Sequence, residues 1–354
     1  MTYAMAFIAA LLLVATLLPL SVRREWWIRS MDFPRVQIVA LCIGWLFVSI
    51  LFIQTLSPLM LTSGVVVTTV LLYQCHWIYP HTPLHDVEVQ ALQWERKPAT
   101  PVIKILSSNV LMTNRQAEPL KKLVLEHKPD ILVTLESDQW WQDELDTLNQ
   151  FPHRIACPLD NLYGMHVYSR FELLNSQIHY RVEDDKPSMS MQVRINKHND
   201  VAMHVMHPAP PAPGENAEST ERDVELIMLA RELQGHTQPT IVAGDLNDVA
   251  WSATTRLLRQ ISGLHDPRIG RGVFNTFHAH FRFIRWPLDH VFVSSHFRLI
   301  DLQTLPDIGS DHFPLLAELA LANDSPSENS VAGEPLDKER LDHITGSETA
   351  KQAQ

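Results

Sequence analysis

The chain is expected to fold as an α/β (α+β) domain carried behind three transmembrane helices. Three observations predict this. Two long stretches near the N-terminus hold no acidic or basic side chain, short apolar runs alternate with polar amphipathic stretches from residue 101 onward, and those runs repeatedly end in an acid, an amide or a histidine.

No charge occurs from Met1 to Val22, nor in the 45 residues from Val36 to Pro80 apart from a neutral His76. A helix needs about 20 apolar residues to cross ~30 Å of hydrocarbon, so the second stretch is long enough for two. Three spans follow, at 4–20, 36–54 and 59–79, with Gln54–Pro58 as the hairpin between the last two. The first lacks the basic leader of a signal peptide and is followed by more spans, which favours an anchor. Between the first two lies "RREWWIRSMDFPR" (23–35), whose Trp26 and Trp27 suit a water–lipid interface and whose four arginines favour the cytoplasmic side. A polar connector occupies 80–100.

Beyond it, strands are expected at 102–109, 130–136, 165–169, 189–195, 201–206, 288–293 and 315–321, and at the apolar run Ile241, Val242, Ala243 that opens "TIVAGDLNDVAW" (240–251). Helices are expected at 115–127, 216–234 (with Ser219 or Thr220 near its cap) and 251–261. Strands mixed with helices throughout indicate a layered α/β or α+β sandwich over 101–322. The last segment, 323–354, lacks apolar density and is expected to be disordered.

The formal charge of −11 is uneven: +2 over residues 1–79, −9 over 80–322 and −4 over 323–354. An acidic domain is a poor partner for nucleic-acid backbone, which is held mainly by Lys and Arg. The three cysteines (Cys42, Cys75, Cys157) form no CxxC pair, which excludes a cysteine zinc site and a disulfide framework. The apolar cores of the spans carry no ionisable path of the kind a transporter needs, and no GxSxG elbow supports a serine hydrolase.

The strand ends carry the chemistry. "ILSSN" ends in Asn109, "ILVTLE" in Glu136, "AMHVMH" in His207 and "IVAGDLN" in Asp245 and Asn247. "RWPLDH" brings Asp289, and "GSDHFP" places Asp311 and His312 before the last strand. Any one of these could simply cap or turn, since Gly, Asp and Asn are turn residues. Together they are an inventory for a hard cation and a phosphate: carboxylates bind Mg²⁺, and imidazolium stabilises charge on phosphoryl oxygen. Asp248 reads as a turn residue, and Asn114 as a helix cap, with reach to the site as the alternative. His204 reads as structural, on the strand face opposite His207. His278 and His280 could line a pocket, though 18 histidines make such pairs common. His76, His81 and His85 read as juxtamembrane surface.

In that order, Asn109, Glu136, His207, "GDLN", "PLDH" and "SDHFP" resemble the endonuclease/exonuclease/phosphatase superfamily, the group of pancreatic-type deoxyribonuclease, over residues 101–322. The spans and "WWIRSMDFPR" resemble a bacterial membrane-anchored branch. For that branch the resemblance implies an inner-membrane protein with its domain on the outer side, against the arginine count. It also implies a four-layer sandwich of two packed β-sheets between helices. By position it implies metal binding by Glu136, Asn109 and Asp311, with Mg²⁺ (or Mn²⁺) as cofactor. Asp245 would position or deprotonate water, Asn247 would hold the water or a phosphate oxygen, and His312, oriented by Asp289, would contact the phosphoryl group. His207 matches a site where some members place His and others Tyr.

The expected activity is a membrane-anchored phosphodiesterase or phosphatase, with in-line attack of water on a lipid headgroup, nucleic acid or small phosphate ester. The expected partner is the lipid bilayer, and nothing in the sequence calls for an obligate protein partner. The alternative is a catalytically silent, membrane-tethered binding or scaffold domain of the same fold, against which the intact acid, amide and histidine set speaks.

Overall fold

The structure is a computed structural model that describes residues 2–51, 57–92, 100–322 and 336–352. At the N-terminus, α1 (Thr2–Leu17) is followed by the short α2 (Trp26–Arg29), α3 (Arg35–Leu51) and α4 (Pro58–Ile78). Met5, Leu12, Ile38, Cys42, Trp45, Met60 and Val67 bring α1, α3 and α4 into one apolar cluster. The outward faces expose Phe7, Leu11, Phe47, Val65 and Leu72.

Two of the three expected spans qualify as membrane-crossing helices by length and composition: Thr2–Leu20 and Pro58–His81. The middle one does not stand alone. Its helix has 17 residues, about 26 Å at 1.5 Å per residue, and it meets the Trp26–Asp32 segment at a bend of 67°. Pro34 has no N–H to continue the preceding turn, so a new helix axis starts there. Only if that bent pair counts as one span does the number reach three. The expected end of this span at 54 and most of the Gln54–Pro58 hairpin lie outside the described residues.

Among the described residues, eleven strands build two sheets. The first holds β1 (Val102–Asn109), β2 (Ile131–Leu135), β3 (His153–Cys157), β4 (Met165–Ser169), β10 (Phe297–Thr304) and β11 (Leu315–Leu321), in the order β10-β11-β1-β2-β4-β3. The second holds β5 (Glu172–His179), β6 (Ser188–Asn196), β7 (Asn199–Met206), β8 (Thr240–Asp245) and β9 (Asp289–Val293), in sequence order. Each sheet contains one parallel pair, β1–β2 and β7–β8, among antiparallel neighbours.

Side-chain alternation sets the layers. Ile103, Ile105, Ile131 and Val133 meet Met203, Val205, Ile241, Ala243 and Val291 between the sheets. The opposite face of the first sheet (Leu106, Leu132, Tyr168) packs on α5 (Ala117–His127) and α6 (Gln139–Leu145) through Leu120, Val124, Trp141 and Leu145. The opposite face of the second (Met206, Val242, Phe292) packs on α7 (Thr220–Glu232) and α8 (Ala253–Ser262) through Leu226, Leu229 and Leu258. Two mixed sheets therefore face each other with helices outside, as expected.

Both flanking segments depart from the plain readings given them. Residues 80–92 of the expected connector lie on the domain. Val89 joins the core between the sheets, Leu92 donates its N–H to Leu299 O (2.9 Å), and half-buried Glu88 pairs with Arg259 (2.5 Å). The expected disordered tail is corrected for residues 336–352, which form α9 (Lys338–Thr345) and α10 (Glu348–Gln352). Asp337 caps α9 by accepting from Arg340 N (3.0 Å), and Ile344 and Ala350 pack on Val224, Ile227 and Leu257. Residues 323–335 and 93–99 lie outside the described residues.

Candidate active site

Topology explains why distant residues converge. The two parallel pairs end at the same edge of the sandwich, and their antiparallel partners begin there: Asp245 pairs in register with Asp289, and Ser107 with Leu315. Asn109 continues the inward parity of Ile103 and Ile105, Asp245 that of Ile241 and Ala243, and His207 that of Met203 and Val205. All three therefore point into the mouth of the gap between the sheets. The same alternation would send Glu136 outward after Leu135. Its backbone is left-handed instead (φ 55°), a conformation costing about 1–2 kcal/mol for a residue with a Cβ, and the side chain turns back to Asn109. Gly244 (φ 134°) is needed where it stands, because a Cβ there would come within 2.1 Å of Met206 O.

Asn109 bridges the two halves: its Nδ2 donates to Glu136 Oε1 (2.7 Å) and Asp245 Oδ2 (3.2 Å). Asp245 Oδ1 accepts from Asn247 N (2.8 Å), while its Oδ2 faces His312 Nε2 at 3.5 Å and His207 Nε2 at 3.9 Å. His312 Nδ1 lies 2.7 Å from Asp289 Oδ2, so the imidazole is gripped from behind and presents its other nitrogen to Asp245. Asp289 is placed by Thr276, whose Oγ1 accepts its N–H (3.1 Å). Ser310 Oγ donates to Asn109 O (2.8 Å) and accepts from His312 N (3.1 Å), tying the 310–312 loop to β1. Asn247, also left-handed (φ 50°), donates Nδ2 to Pro208 O (3.0 Å), which leaves its second amide proton and its oxygen for a ligand.

Burial dominates the electrostatics. It pushes Glu136 up to about 7, with the Asp311 and Asp245 charges adding and the Asn109 hydrogen bond opposing. Burial likewise raises Asp245 to about 7 against the His312 charge. For His312 burial acts downward, but Asp289 and Asp245 overcome it and hold the imidazole protonated, up to about 10. His207 is driven down to about 3, by burial first and the His312 charge second, and is neutral.

Every residue expected at the site lies at this edge. Asn109, Glu136, Asp245, Asn247, His207, Asp289 and His312 form the connected cluster above, and Asp311, half-buried beside His312, acts on Glu136 and His312 through its charge. Asp248 is more than a turn residue: it is buried, 3.4 Å from Arg222 Nη1, and joined to Ser252 Oγ. Arg222 also donates to Asn247 O (2.8 Å) and was not legible as a site support, because "STERDVE" reads as a solvated helix face. Tyr163, its ring 5.3 Å from His207, and Phe277, 4.9 Å from His312, are walls the sequence did not signal. Asn114 does not cap α5 with a bond to a first-turn N–H of the helix. It links the β1–α5 loop to Ile308 O (3.2 Å) and accepts from Gln116 N. His81 is buried against Trp251 and not on the surface.

The sequence profile of the Endonuclease/Exonuclease/phosphatase family matches residues 106–312, more than half of the chain. The chain belongs to this family. Solved structures agree on the fold of the endonuclease/exonuclease/phosphatase domain. D. rerio TDP2 complexed with single strand DNA product is 15% identical, with 62% of this chain and 98% of that chain covered at a TM-score of 0.53. The endonuclease/exonuclease/phosphatase from Beutenbergia cavernae is 14% identical, covering 63% and 72% at 0.52. The human Nocturnin catalytic domain with bound sulfate anion is 17% identical, covering 69% and 99% at 0.51. No curated protein matches the chain.

Members of the family are generally phosphoesterases that depend on a divalent metal, and the donor set here fits a cation. Glu136, Asp245 and Asp311 gather negative charge at a half-open mouth, where burial and mutual repulsion leave it under-compensated. Asp245, Asp289 and His312 are one group among the described residues whose ligand atoms lie within 4.8 Å of one another. In that group Asp289 is committed to His312, and a protonated imidazole has no lone pair for a metal. The Glu136 side of Asp245 is therefore the better cation site.

Proposed function

We propose that this chain is a membrane-anchored, Mg²⁺-dependent phosphoesterase acting on phosphodiester bonds. The observation that carries this reading is the line Asp289–His312–Asp245–Asn109–Glu136, an imidazolium on one side of a carboxylate and a second carboxylate on the other. Glu136 and Asp311 would hold the cation; the Asn109 oxygen accepts from Leu111 N (3.1 Å) and would join them only with its amide turned over. When bound, Mg²⁺ polarises a phosphoryl oxygen and stabilises the leaving oxygen.

The chain's own groups supply the rest. Asp245, raised toward neutrality, accepts a proton from water near pH 7, where a general base works best. Protonated His312 donates from Nε2 to a phosphoryl oxygen, and Asp289 fixes its tautomer and direction. Neutral His207 and the uncommitted amide groups of Asn247 complete the hydrogen bonding around the phosphate. Two apolar helices long enough to cross a bilayer support the anchor.

The test is hydrolysis of bis-p-nitrophenyl phosphate by the full chain in detergent, with EDTA and Mg²⁺ add-back. Asp245→Asn is expected to lower kcat about 10²–10⁴-fold, the usual value of a general base, and Glu136→Ala to weaken Mg²⁺ activation. Turnover that survives EDTA and both substitutions would overturn the assignment.

A further inference from the structure

The loop "HAHFRFIRW" (278–286) is used by nothing above, yet it carries the sharpest apolar exposure of the domain. Phe281, Phe283 and Ile284 are 53%, 81% and 47% exposed, three large hydrophobics within four residues. Among the described residues of 100–322, the other exposed large hydrophobics are Leu125, alone on α5, and Ile178 and Tyr180 at the end of β5, none of them in a run of three. Single exposed apolar residues are ordinary, whereas a contiguous patch marks a contact surface. The loop also has two arginines and no acid, within a region whose net charge is −9.

Its place in the fold says what covers it. Phe283 O accepts from Gln37 Nε2 (3.0 Å) in the first turn of α3, and Trp286 packs edge-on against Phe33 at 5.5 Å. The tip therefore adjoins the head of the apolar helix α3. The base of the loop is fixed to the site. Phe277 touches His312, Ala279 N donates to Asp311 O (2.7 Å), and Arg285 lies over Phe313 while donating to Ala279 O (3.2 Å). One short segment thus runs from the catalytic imidazole to the head of α3.

We propose that residues 278–286 are a bilayer-contact element at the rim of the active site, with Phe281, Phe283 and Ile284 seated among acyl chains and Arg282 at the phosphates of an anionic lipid surface. Aromatic side chains flanked by arginine are the composition that settles at such an interface, and Arg near an anionic leaflet is attracted to it. The proposal rests on the membrane-anchored reading and deepens it: the mouth of the site lies at headgroup level, so a phosphate carried on a lipid is the substrate class within reach.

The experiment uses the full chain with Cys42, Cys75 and Cys157 replaced by alanine. Nitroxides go at Leu72→Cys on α4, Phe283→Cys on the loop and Leu125→Cys on the far side of the domain, in nanodiscs of phosphatidylcholine with phosphatidylglycerol. The ratio of collisions with oxygen to collisions with a water-soluble nickel chelate is expected to be several-fold higher at 72 and 283 than at 125, and to fall at 283 when phosphatidylglycerol is omitted. A label at 283 as aqueous as that at 125, with 72 in lipid, overturns the loop assignment and leaves the anchor standing. A label at 72 in water overturns the anchor and the loop with it. Shielding of 283 from both reagents would show a protein partner or second copy there and equally overturn the proposal. Should the cysteine-free chain fail to fold, a lipid-borne diazirine in the wild-type chain gives the same reading: cross-links on 278–286 support the contact, and cross-links confined to the helices overturn it.

Discussion

Asp289 and His312 are both buried, and each changes what the other is. Burial alone would raise the Asp289 carboxyl and discharge the imidazole. The pair instead holds Asp289 below the usual carboxylate range and His312 up to about 10. An acid required in its protonated form sets the alkaline limb of a rate profile. Asp289→Asn removes the opposing charge, so the pKa of His312 falls and the alkaline limb of kcat is expected to move to lower pH, by at least one unit. The check is a pH–rate profile of the full chain beside wild type. An unmoved limb with ordinary thermal stability would show that another group donates to the phosphate. The identity of these residues was legible because each ends or begins a strand with recognisable neighbours, "PLDH" and "SDHFP". Their grip on one another was not legible, since it depends on the loop 308–312 being tied to β1 by Ser310.

At the scale of elements, β8 delivers Asp245, and α7 steadies the turn behind it. Arg222, fully buried, donates to Asn247 O, pairs with Asp223 at 2.9 Å and faces Asp248 at 3.4 Å. Removing one member of a buried ion network leaves the others without compensation, typically a loss of 3–5 kcal/mol. Arg222→Met is thus expected to destabilise by about that amount and to reduce activity through Asn247. Denaturant unfolding would show it, and a loss below ~1 kcal/mol would mean that water replaces the guanidinium. Elements with strong periodicity could be read directly: β1, β4 and β11 fall on the expected residues, α5 and α7 lie inside the expected helices, and α8 runs one residue past the end of its own. Those that escaped have reasons. β5, with three leucine or isoleucine residues among eight, is mostly exposed at the edge of the second sheet, β3 is half-exposed at an edge of the first, and α6 is only seven residues long. Edge strands and short helices lack the two-sided burial that writes a pattern into sequence. α9 escaped because its apolar contribution is one leucine and one isoleucine, although Asp337 and Gly346 mark its ends.

Across the whole molecule, buried carboxylates outnumber the cations that neutralise them. Burial raises Glu225 to about 8, Glu136 and Asp245 to about 7, and Asp248 to about 6. Unfolded, these groups titrate near 4, so between pH 4 and 8 they bind more protons in the native state and their contribution to stability falls as pH rises. Asp266 has the opposite sign: the Arg268 pair overcomes burial and depresses its pKa, so its contribution is present above about 4 and lost in stronger acid. Buried His166, His204, His207 and His290 also have the opposite sign: burial drives them down to about 3–4, so their contribution grows up to their unfolded value near 6.5 and offsets the carboxylates below it. The Tm of the metal-free chain is therefore expected to be nearly flat between about pH 5 and 6.5 and to decline toward pH 8, a decline that Mg²⁺ reduces. A metal-free Tm that rises from pH 6.5 to 8 would show these carboxylates ionised in the native state. The helical tail gives the molecule its longest-range contact. Arg340 donates to Pro19 O (3.2 Å) and Ser21 O (3.3 Å) at the end of the first apolar helix, and Arg24 meets His343, while Ile344 lies on α7. The tail thereby binds the interfacial loop to the outer helix layer behind Asp245. Burying one isoleucine side chain is worth roughly 1.5–3 kcal/mol. Truncation after residue 335 is expected to destabilise the catalytic domain by about that much, and Ile344→Ser to reproduce most of it. Differential scanning calorimetry of the two variants decides the matter: a Tm equal to wild type in both would mean that α9 contributes no stability where it docks.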